Sequence, residues 1–396
     1  MARTYMIGTE EQQAYMKDYR WNLKGYSYLE PGVVSTDSKY FAAFNVAKSF
    51  YQVYPEVFNL ATISRKTGLA ADEIRTRLKR MYDERLLMLV KNSCVGAMGF
   101  GLYYWVCKLK DGISPEEREE MVRWMQENDQ ICTGYSMDAG GDFDFFCGNH
   151  MRNIDNLICG VLDRFRFRDC VDYVHICPVR RLVRESCVNQ FDARKDVRKY
   201  FFSDDQLERV LKLQDRMDRA DFAIVDAINN TPSVGEMFDY EVLAKLSGLN
   251  AEEMKQDLMT LVDTRQCVIP MVYINYRALG LKQRFYLISM FQNTPTWRSE
   301  QITDELAELP EFSNIFEFAD AHHNLILSCC EELTDLDRIE QTLRTYGEIG
   351  DILQASSSRQ LRRWTCRLDD EHGLWEECVF TDDLLLDHTR NAKEGK

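Results

Sequence analysis

The 396-residue sequence contains no long apolar run and no Cys-x-x-Cys pair. No stretch reaches about 18 consecutive apolar residues, the length of a membrane-spanning helix, and the first residues hold no apolar signal core. Thirteen cysteines are scattered along the chain. Scattered thiols without a signal peptide are typical of a reducing compartment. We therefore expect a cytoplasmic protein with no membrane partner.

Positive charge is also scarce. Lys and Arg total 49 against 64 Asp and Glu, so the formal net charge is −15. This excludes a general nucleic-acid coat, although one local basic patch can still bind DNA. The sequence has no Walker motif, no Gly-x-Ser-x-Gly and no His-Glu-x-x-His. The cysteines and histidines between 147 and 177 fit no standard metal-site spacing. We expect neither a cofactor nor a metal.

What the sequence does contain is an internal repeat. Three separate landmarks recur at one interval of 180 residues, which indicates two copies of a single structural unit. The matched pairs are Ile63–Ile74 with Leu243–Met254, Ser114-Pro115 with Thr294-Pro295, and Asp144–Cys147 with Asn324–Leu327.

Each copy shows the same order of local signals. Two helical segments are separated by a Gly-Leu turn, where Gly68 or Gly248 can adopt a positive φ, and a β-rich stretch follows. The pattern then predicts β-α-β-β-α-β, with Ser114 starting the first helix of that domain through a capping box with Glu117. The fold class is therefore α+β: two tandem units, each a winged helix–turn–helix followed by a ferredoxin-like domain.

These signals divide the chain into seven segments. They are an N-terminal extension (1–40), the first winged helix–turn–helix (41–92), the first ferredoxin-like domain (93–190), a linker (191–215), the second winged helix–turn–helix (216–275), the second ferredoxin-like domain (276–370) and a C-terminal tail (371–396).

This order of domains resembles the Lrp/AsnC family of feast/famine regulators. The residues that carry the resemblance are Ile63–Met81 and Gly140–Phe145, although the family normally has one unit per chain. The resemblance implies a DNA-binding regulator whose paired sheets bind a small effector, often an amino acid. The two sheets here can pair within the chain or in a self-associated assembly. The expected effector residues are Gly140, Gly141, Asp142 and Asp144; a plain β-turn is the alternative.

The two helix–turn–helix segments differ in charge. Residues 61–85 carry seven basic and four acidic side chains, and residues 241–265 carry three and five. The first is therefore predicted to read DNA and the second, with Asp257 on its recognition face, to pack or dimerise. A solvated helix face is the alternative for the first. The predicted DNA-binding residues are Arg65, Lys66, Arg75, Arg77, Lys79 and Arg80.

A second resemblance suggests an enzyme. Siroheme decarboxylases of haem biosynthesis use paired units of this fold, and His322–Leu325 is similar to their aromatic-Asn-Leu strand start, with His323 in the place of the tyrosine. This resemblance implies that His322 or His323 donates a proton. The basic run 164–184, which includes Arg180, would hold substrate carboxylates. A non-catalytic assembly protein is a third possibility. The basic first helix–turn–helix favours the regulator, so catalysis is the alternative.

Overall fold

The structure is a computed structural model, and all structural statements concern the residues that it describes. These are residues 58–93, 101–128, 130–151, 153–185, 188–189, 204–213, 216–229, 239–260, 268–363, 366–369 and 374–377. The predicted N-terminal extension (1–40) lies outside them, as do residues 191–203 of the linker and most of the C-terminal tail.

The first unit begins with the predicted pair of helices, α1 (Leu60–Thr67) and α2 (Ala71–Asp83). Gly68 ends α1 with φ +74°, as the sequence predicts, and its amide donates to the carbonyl oxygen of Ser64. A residue with a side chain would be strained in this left-handed conformation. Strand β1 (Leu87–Ser93) follows α2.

The first ferredoxin-like domain contains the predicted β-α-β-β-α-β order. Its sheet order is β5-β2-β4-β3, and the Ser114–Glu117 capping box is present at the start of its first helix. The elements are β2 (Gly101–Leu109), α3 (Pro115–Glu127), β3 (Thr133–Met137), β4 (Phe145–Met151), α4 (Ile154–Leu157, continued by a π turn over Ile158–Leu162), β5 (Val171–Glu185) and the short β6 (Val188–Asn189).

The second unit repeats this arrangement. Gly248 again has φ +74°, and the second sheet has the equivalent order, β11-β8-β10-β9. The predicted linker is not free of secondary structure, because a helix fills residues 204–213. The elements are α5 (Asp204–Leu213), α6 (Arg219–Asn229), α7 (Tyr240–Ser247), α8 (Ala251–Met259), β7 (Val268–Ile274), β8 (Gln283–Met290), α9 (Thr296–Leu306), β9 (Phe312–Phe318), β10 (Leu325–Cys330), α10 (Leu336–Leu343), β11 (Ile349–Arg363), β12 (Cys366–Asp369) and β13 (Leu374–Glu377).

The two sheets join to form one closed barrel of eight strands. Strand β5 of the first unit pairs with β9 of the second, and β3 of the first pairs with β11 of the second, both antiparallel. We call the β5–β9 junction, with the β9–β10 turn (319–324), the first seam. The β11–β3 junction, with the β3–β4 turn (138–144), is the second seam. The two units are therefore joined twice by backbone hydrogen bonds.

The predicted wings differ from expectation. Strands β1 and β7 lie where the sequence predicts a wing after each helix–turn–helix, but they pair with each other, Leu87 opposite Ile274 and Ser93 opposite Val268. Among the described residues, neither helix–turn–helix has a two-stranded wing of its own. Pairing across the units gives hydrogen-bond partners to the backbone amides and carbonyls of both strands. It also forms a further link between the two copies.

Aromatic side chains fill the barrel. Tyr104 on β2 stacks on Phe146 at 4.7 Å between ring centroids and on Phe316 of β9 at 5.1 Å. Tyr135 on β3 meets Phe285 of β8 at 4.9 Å. Strands β2 and β9 are not neighbours in the sheet, so these rings meet across the interior. The interior is thus a packed core, and a large ligand would have to bind outside it. Among the described helices, none combines the length and apolar character that crossing a membrane requires.

Candidate functional site at the first seam

The turn between β9 and β10 bridges two strands. The amide of Ala319 donates to the carbonyl oxygen of Pro178 on β5 at 2.7 Å, and the carbonyl oxygen of His322 accepts from the amide of Met290 at the end of β8 at 2.8 Å. The turn therefore lies at one end of the barrel. This position brings histidines from both units close together.

His175, Asp320 and Asn324 form a polar cluster across this seam. His175 Nε2 lies 2.7 Å from Asn324 Nδ2 and 3.7 Å from Asp320 Oδ2. Asp320 Oδ1 accepts the backbone amides of His322 and Asn324, each at 3.0 Å. Burial opposes ionisation of Asp320, but the neighbouring His175 and the two amides outweigh burial and lower the pKa of this carboxyl below its ordinary value. The cluster therefore holds a carboxylate beside an imidazole.

His322 is the exposed histidine of this turn. Its Nε2 lies 3.4 Å from Gln292 Nε2. Phe291 lies between Met290 and Gln292, the two residues that contact His322. Phe291 is 53% exposed, and Trp297 in the first turn of α9 is 66% exposed. These two exposed aromatic side chains lie six positions apart in the sequence, near the two ends of the loop that joins β8 to α9. His323 is half-buried and has φ +45°.

Arg180 does not join these histidines. Its guanidinium binds Glu300 on α9 at 2.7 Å and Glu317 on β9 at 2.6 Å. Those partners place Arg180 under the helix that covers the outer face of the sheet, whereas the neighbouring Cys177 and Val179 belong to the core that includes the barrel interior. The alternation of side chains along β5 explains this separation. The expectation that Arg180 acts together with His322 and His323 is therefore not supported.

Two further arginines of the predicted basic run are buried in the same outer layer. The alternation is interrupted there, because the β5–β9 pairing is irregular between Val179 and Arg181 and between Leu182 and Arg184. Arg181 binds Glu317 and Asp304, and Arg184 donates to carbonyl oxygens at the end of α9 and the start of β9. Both side chains are fully buried. They hold β5 against the second unit and leave no guanidinium of this set for a ligand carboxylate. Arg164, Arg166 and Arg168 precede β5 and are exposed.

The predicted effector residues lie at the second seam, where they contact β11. Asp142 donates its amide to the carbonyl oxygen of Gln354 at 2.9 Å and accepts the Gln354 amide on Oδ2 at 2.8 Å. A Cβ on Gly141 would lie 2.8 Å from the Cβ of Ala355, and Gly140 has φ +91°. These three residues form a tight turn fitted to the neighbouring strand, which is the alternative that the sequence left open.

Asp144 is also occupied. It accepts from the backbone amide of Leu109 at 2.9 Å and forms ion pairs with Arg118 at 2.6 Å and Lys108 at 3.3 Å. Burial raises the carboxyl pKa, but the Leu109 amide and the two cations outweigh it and lower the pKa of Asp144. Its position is structural, so the effector prediction gains no support here.

Two of the predicted DNA-binding residues hold the units together. Arg77 on α2 binds both carboxylate oxygens of Asp218, at 2.8 and 2.7 Å, and Asp221 at 3.1 Å. Arg80 binds Asp221, which is completely buried, and donates to the carbonyl oxygen of Arg216. The hydrogen bond to Asp218 raises the pKa of Arg77, and burial only partly offsets this increase. These guanidiniums neutralise acidic side chains at the start of α6, so they are poorly placed to contact a groove.

The other four predicted DNA-binding residues lie on exposed surface of α1 and α2. Arg75 and Lys66 are exposed, Lys79 pairs with Asp83, and Arg65 donates to Thr62 Oγ1 at 2.9 Å. Their role in DNA binding stays a prediction. In the second helix–turn–helix, Asp257 is buried and does not contribute to an exposed acidic recognition face.

Asp320 was not predicted from the sequence, and His175 was considered only among the cysteines and histidines whose spacing fits no standard metal site. They lie 145 positions apart and meet only because the seam joins the two units. The 180-residue repeat contained one indication of the site. Asp144 and Asn324 are equivalent positions just before a strand, and the first has a carboxylate where the second has an amide. Within the described residues, no three His, Cys, Asp or Glu side chains converge as metal ligands.

No known protein family matches this sequence, and no curated protein matches it. Among solved structures, the chain is similar to the siroheme decarboxylase NirDL in complex with an iron-uroporphyrin III analogue (TM-score 0.47, 10% identity, covering 89% of this chain and 99% of that chain). It is also similar to NirDL alone (TM-score 0.45, 11% identity, 88% and 99%). A mutant chlorite dismutase from Candidatus Nitrospira defluvii gives a TM-score of 0.31 and 10% identity, covering 66% of this chain and 92% of that chain. These values are too low to assign a function, and the Lrp/AsnC resemblance stays a prediction.

Proposed function

We propose that this protein is an enzyme of siroheme-decarboxylase type, which acts on a tetrapyrrole at the first seam with His322 as the proton donor. The observation that carries the proposal is the exposed His322 ring beside Gln292 and Phe291, on a turn that joins the two units. The flat, apolar faces of Phe291 and Trp297 suit a planar ring system.

The chemistry needs one proton. In a decarboxylation the bond between carbon and the carboxylate breaks, CO2 leaves, and the electron pair stays on carbon, where the conjugated macrocycle stabilises it. A proton from a protonated imidazole then completes the product, so no oxidant or reductant is consumed. Histidine is suited to this role because it changes charge near neutral pH.

The experiment is to incubate the full-length protein with siroheme and to follow the Soret band and the release of CO2. Substitution His322→Gln should lower turnover by roughly 100-fold or more and leave siroheme binding in place, whereas His323→Gln is the matched control one position away. A wild-type protein that neither shifts the Soret band nor releases CO2 would contradict the proposal, as would His322→Gln turning over at the wild-type rate.

A DNA-binding regulator is the second candidate. The exposed Arg75 and Lys66 favour it, because both lie on the first helix–turn–helix. Among the described residues, Arg75 pairs with no carboxylate. The affinity for the DNA upstream of its own gene, measured at a series of salt concentrations, tests this candidate. Sequence-selective binding that Arg75→Glu abolishes would support the regulator, and no salt-sensitive binding would remove it.

A further inference from the structure

The cluster His175–Asp320–Asn324 contains buried oxygen atoms that accept no hydrogen bond. Asn324 is 2% exposed, and its Oδ1 has no hydrogen-bond donor among the described residues; the same holds for the buried Asp320 Oδ2. Leaving a buried acceptor unsatisfied costs about 1–3 kcal/mol. These two oxygen atoms belong to side chains that flank one imidazole, and such a set of groups can bind a positively charged ligand.

The distances from the His175 ring to its two neighbours are close to those between the ligands of a metal ion. Ligand atoms that each lie 2.0–2.2 Å from a first-row metal are about 2.8–3.6 Å apart. In the cluster, His175 Nε2 lies 2.7 Å from the Asn324 amide and 3.7 Å from Asp320 Oδ2, just outside the two ends of this range. Rotating the Asn324 amide about its terminal bond exchanges its nitrogen and oxygen, which brings Oδ1 beside the imidazole.

We propose that His175 Nε2, Asp320 Oδ2 and Asn324 Oδ1 form a binding site for a first-row divalent metal ion such as Co2+, Zn2+ or Mn2+. One imidazole, one carboxylate and one amide oxygen form a mixed nitrogen and oxygen set that suits these ions. The third ligand is an amide oxygen, so the site contains only two side chains of the types that most often bind metal ions.

The surroundings hold these ligands in place. Asp320 Oδ1 accepts the amides of His322 and Asn324, which fixes the carboxylate and leaves Oδ2 for the metal. Outer hydrogen bonds of this kind orient the ligands of metal sites. The side chain of His175 is 38% exposed, so an ion can enter from solvent and keep water on its open side. The site does not use His322, and it stands independently of the decarboxylase proposal.

The test is Co2+ binding by the full-length protein, without siroheme, followed by calorimetry and by the visible absorption of protein-bound Co2+. Wild type should bind about one ion per chain at this site, and His175→Ala and Asn324→Ala should each weaken binding roughly tenfold or more. His323→Ala, an adjacent histidine outside the set, should bind as wild type does. Equal affinity in wild type and His175→Ala would overturn the proposal, as would loss of binding in His323→Ala alone.

A second measurement covers the case in which a variant does not fold. Mn2+ added to the wild-type protein should broaden the NMR signals of the His175 ring before those of the other histidines, because paramagnetic broadening falls steeply with distance. Broadening of all histidine signals at the same Mn2+ concentration would mean adventitious surface binding and would contradict the proposal.

Discussion

The two seams occupy equivalent places in the repeat, yet their side chains are used differently. At the second seam, Asp138 pairs with Lys282, Asp142 binds the backbone of Gln354, and Asp144 is held by Arg118 and Lys108. At the first seam, Asp320 and Asn324 face His175 and keep oxygen atoms without a hydrogen-bond donor among the described residues. The turn of the second seam has its carboxylates in structural contacts, whereas the turn of the first seam keeps polar atoms available.

The difference shows how a duplicated unit can divide its tasks. Both junctions must close the barrel, and backbone pairing does this at each. Side chains are then free to diverge. At the first seam, Arg180, Arg181 and Glu317 form an ion-pair layer on the outer face, in which the turn at the barrel end takes no part. Variants in each seam can test this division of roles.

The largest expected effect is on the outer layer of the first seam. Glu317 is 1% exposed and neutralises both Arg180 and Arg181, so Glu317→Gln should lower the free energy of unfolding by about 3–5 kcal/mol. Glu300→Gln, which removes a less buried partner of Arg180 only, is the control and should cost less. Urea denaturation measures both. A Glu317→Gln protein as stable as wild type would show that the ionic layer does not hold this seam.

A smaller effect is expected at the second seam from Asp144→Asn, about 2–3 kcal/mol at neutral pH. The pKa of Asp144 is lowered in the folded state, so its contribution is complete above the unfolded-state pKa and is lost as the pH falls through the folded-state value. The stability difference between wild type and Asp144→Asn should therefore shrink below about pH 4. Urea titrations at pH 7 and pH 3 test this. A difference that stays constant with pH would contradict the assignment.

The smallest effect concerns the fit of the second-seam turn. A Cβ on Gly141 would lie 2.8 Å from the Cβ and 3.2 Å from the Cα of Ala355, so Gly141→Ala should destabilise the protein by about 1–3 kcal/mol as the turn moves off β11. Gly160→Ala is the matched control, because a Cβ there meets nothing within 4 Å. Thermal unfolding compares the two, and equal melting temperatures would mean that the turn adapts without cost.

Local features of the fold were predictable from the sequence, and contacts between the units were not. Gly68, Gly248 and the Ser114 capping box depend on neighbours within a few residues, and the structure has all three as predicted. The β1–β7 pairing and the Arg77–Asp218 ion pair join residues more than 140 positions apart. Counting the charges of residues 61–85 cannot show that Arg77 and Arg80 are neutralised by distant aspartates. The count therefore overestimated the number of basic side chains available to contact DNA.

In the candidate site too, the contacts between the two units could not be predicted from the sequence. His322 was predicted from its own segment, but Asp320 gains its partner only when β5 of the other unit reaches the turn. Arg180 was grouped with the histidines because the basic run 164–184 was expected to hold substrate carboxylates, but in the assembled sheet it binds Glu300 and Glu317 on the outer face. Which side of a strand faces a ligand depends on the assembled sheet.

We propose that the first seam acts on a ligand and that the second seam only holds the barrel together. Siroheme turnover by His322→Gln and Asp142→Asn, one variant in each turn, tests this division at a temperature where both variants remain folded. We expect His322→Gln to lose CO2 release and Asp142→Asn to keep the wild-type rate. Loss of turnover in Asp142→Asn with full activity in His322→Gln would contradict it.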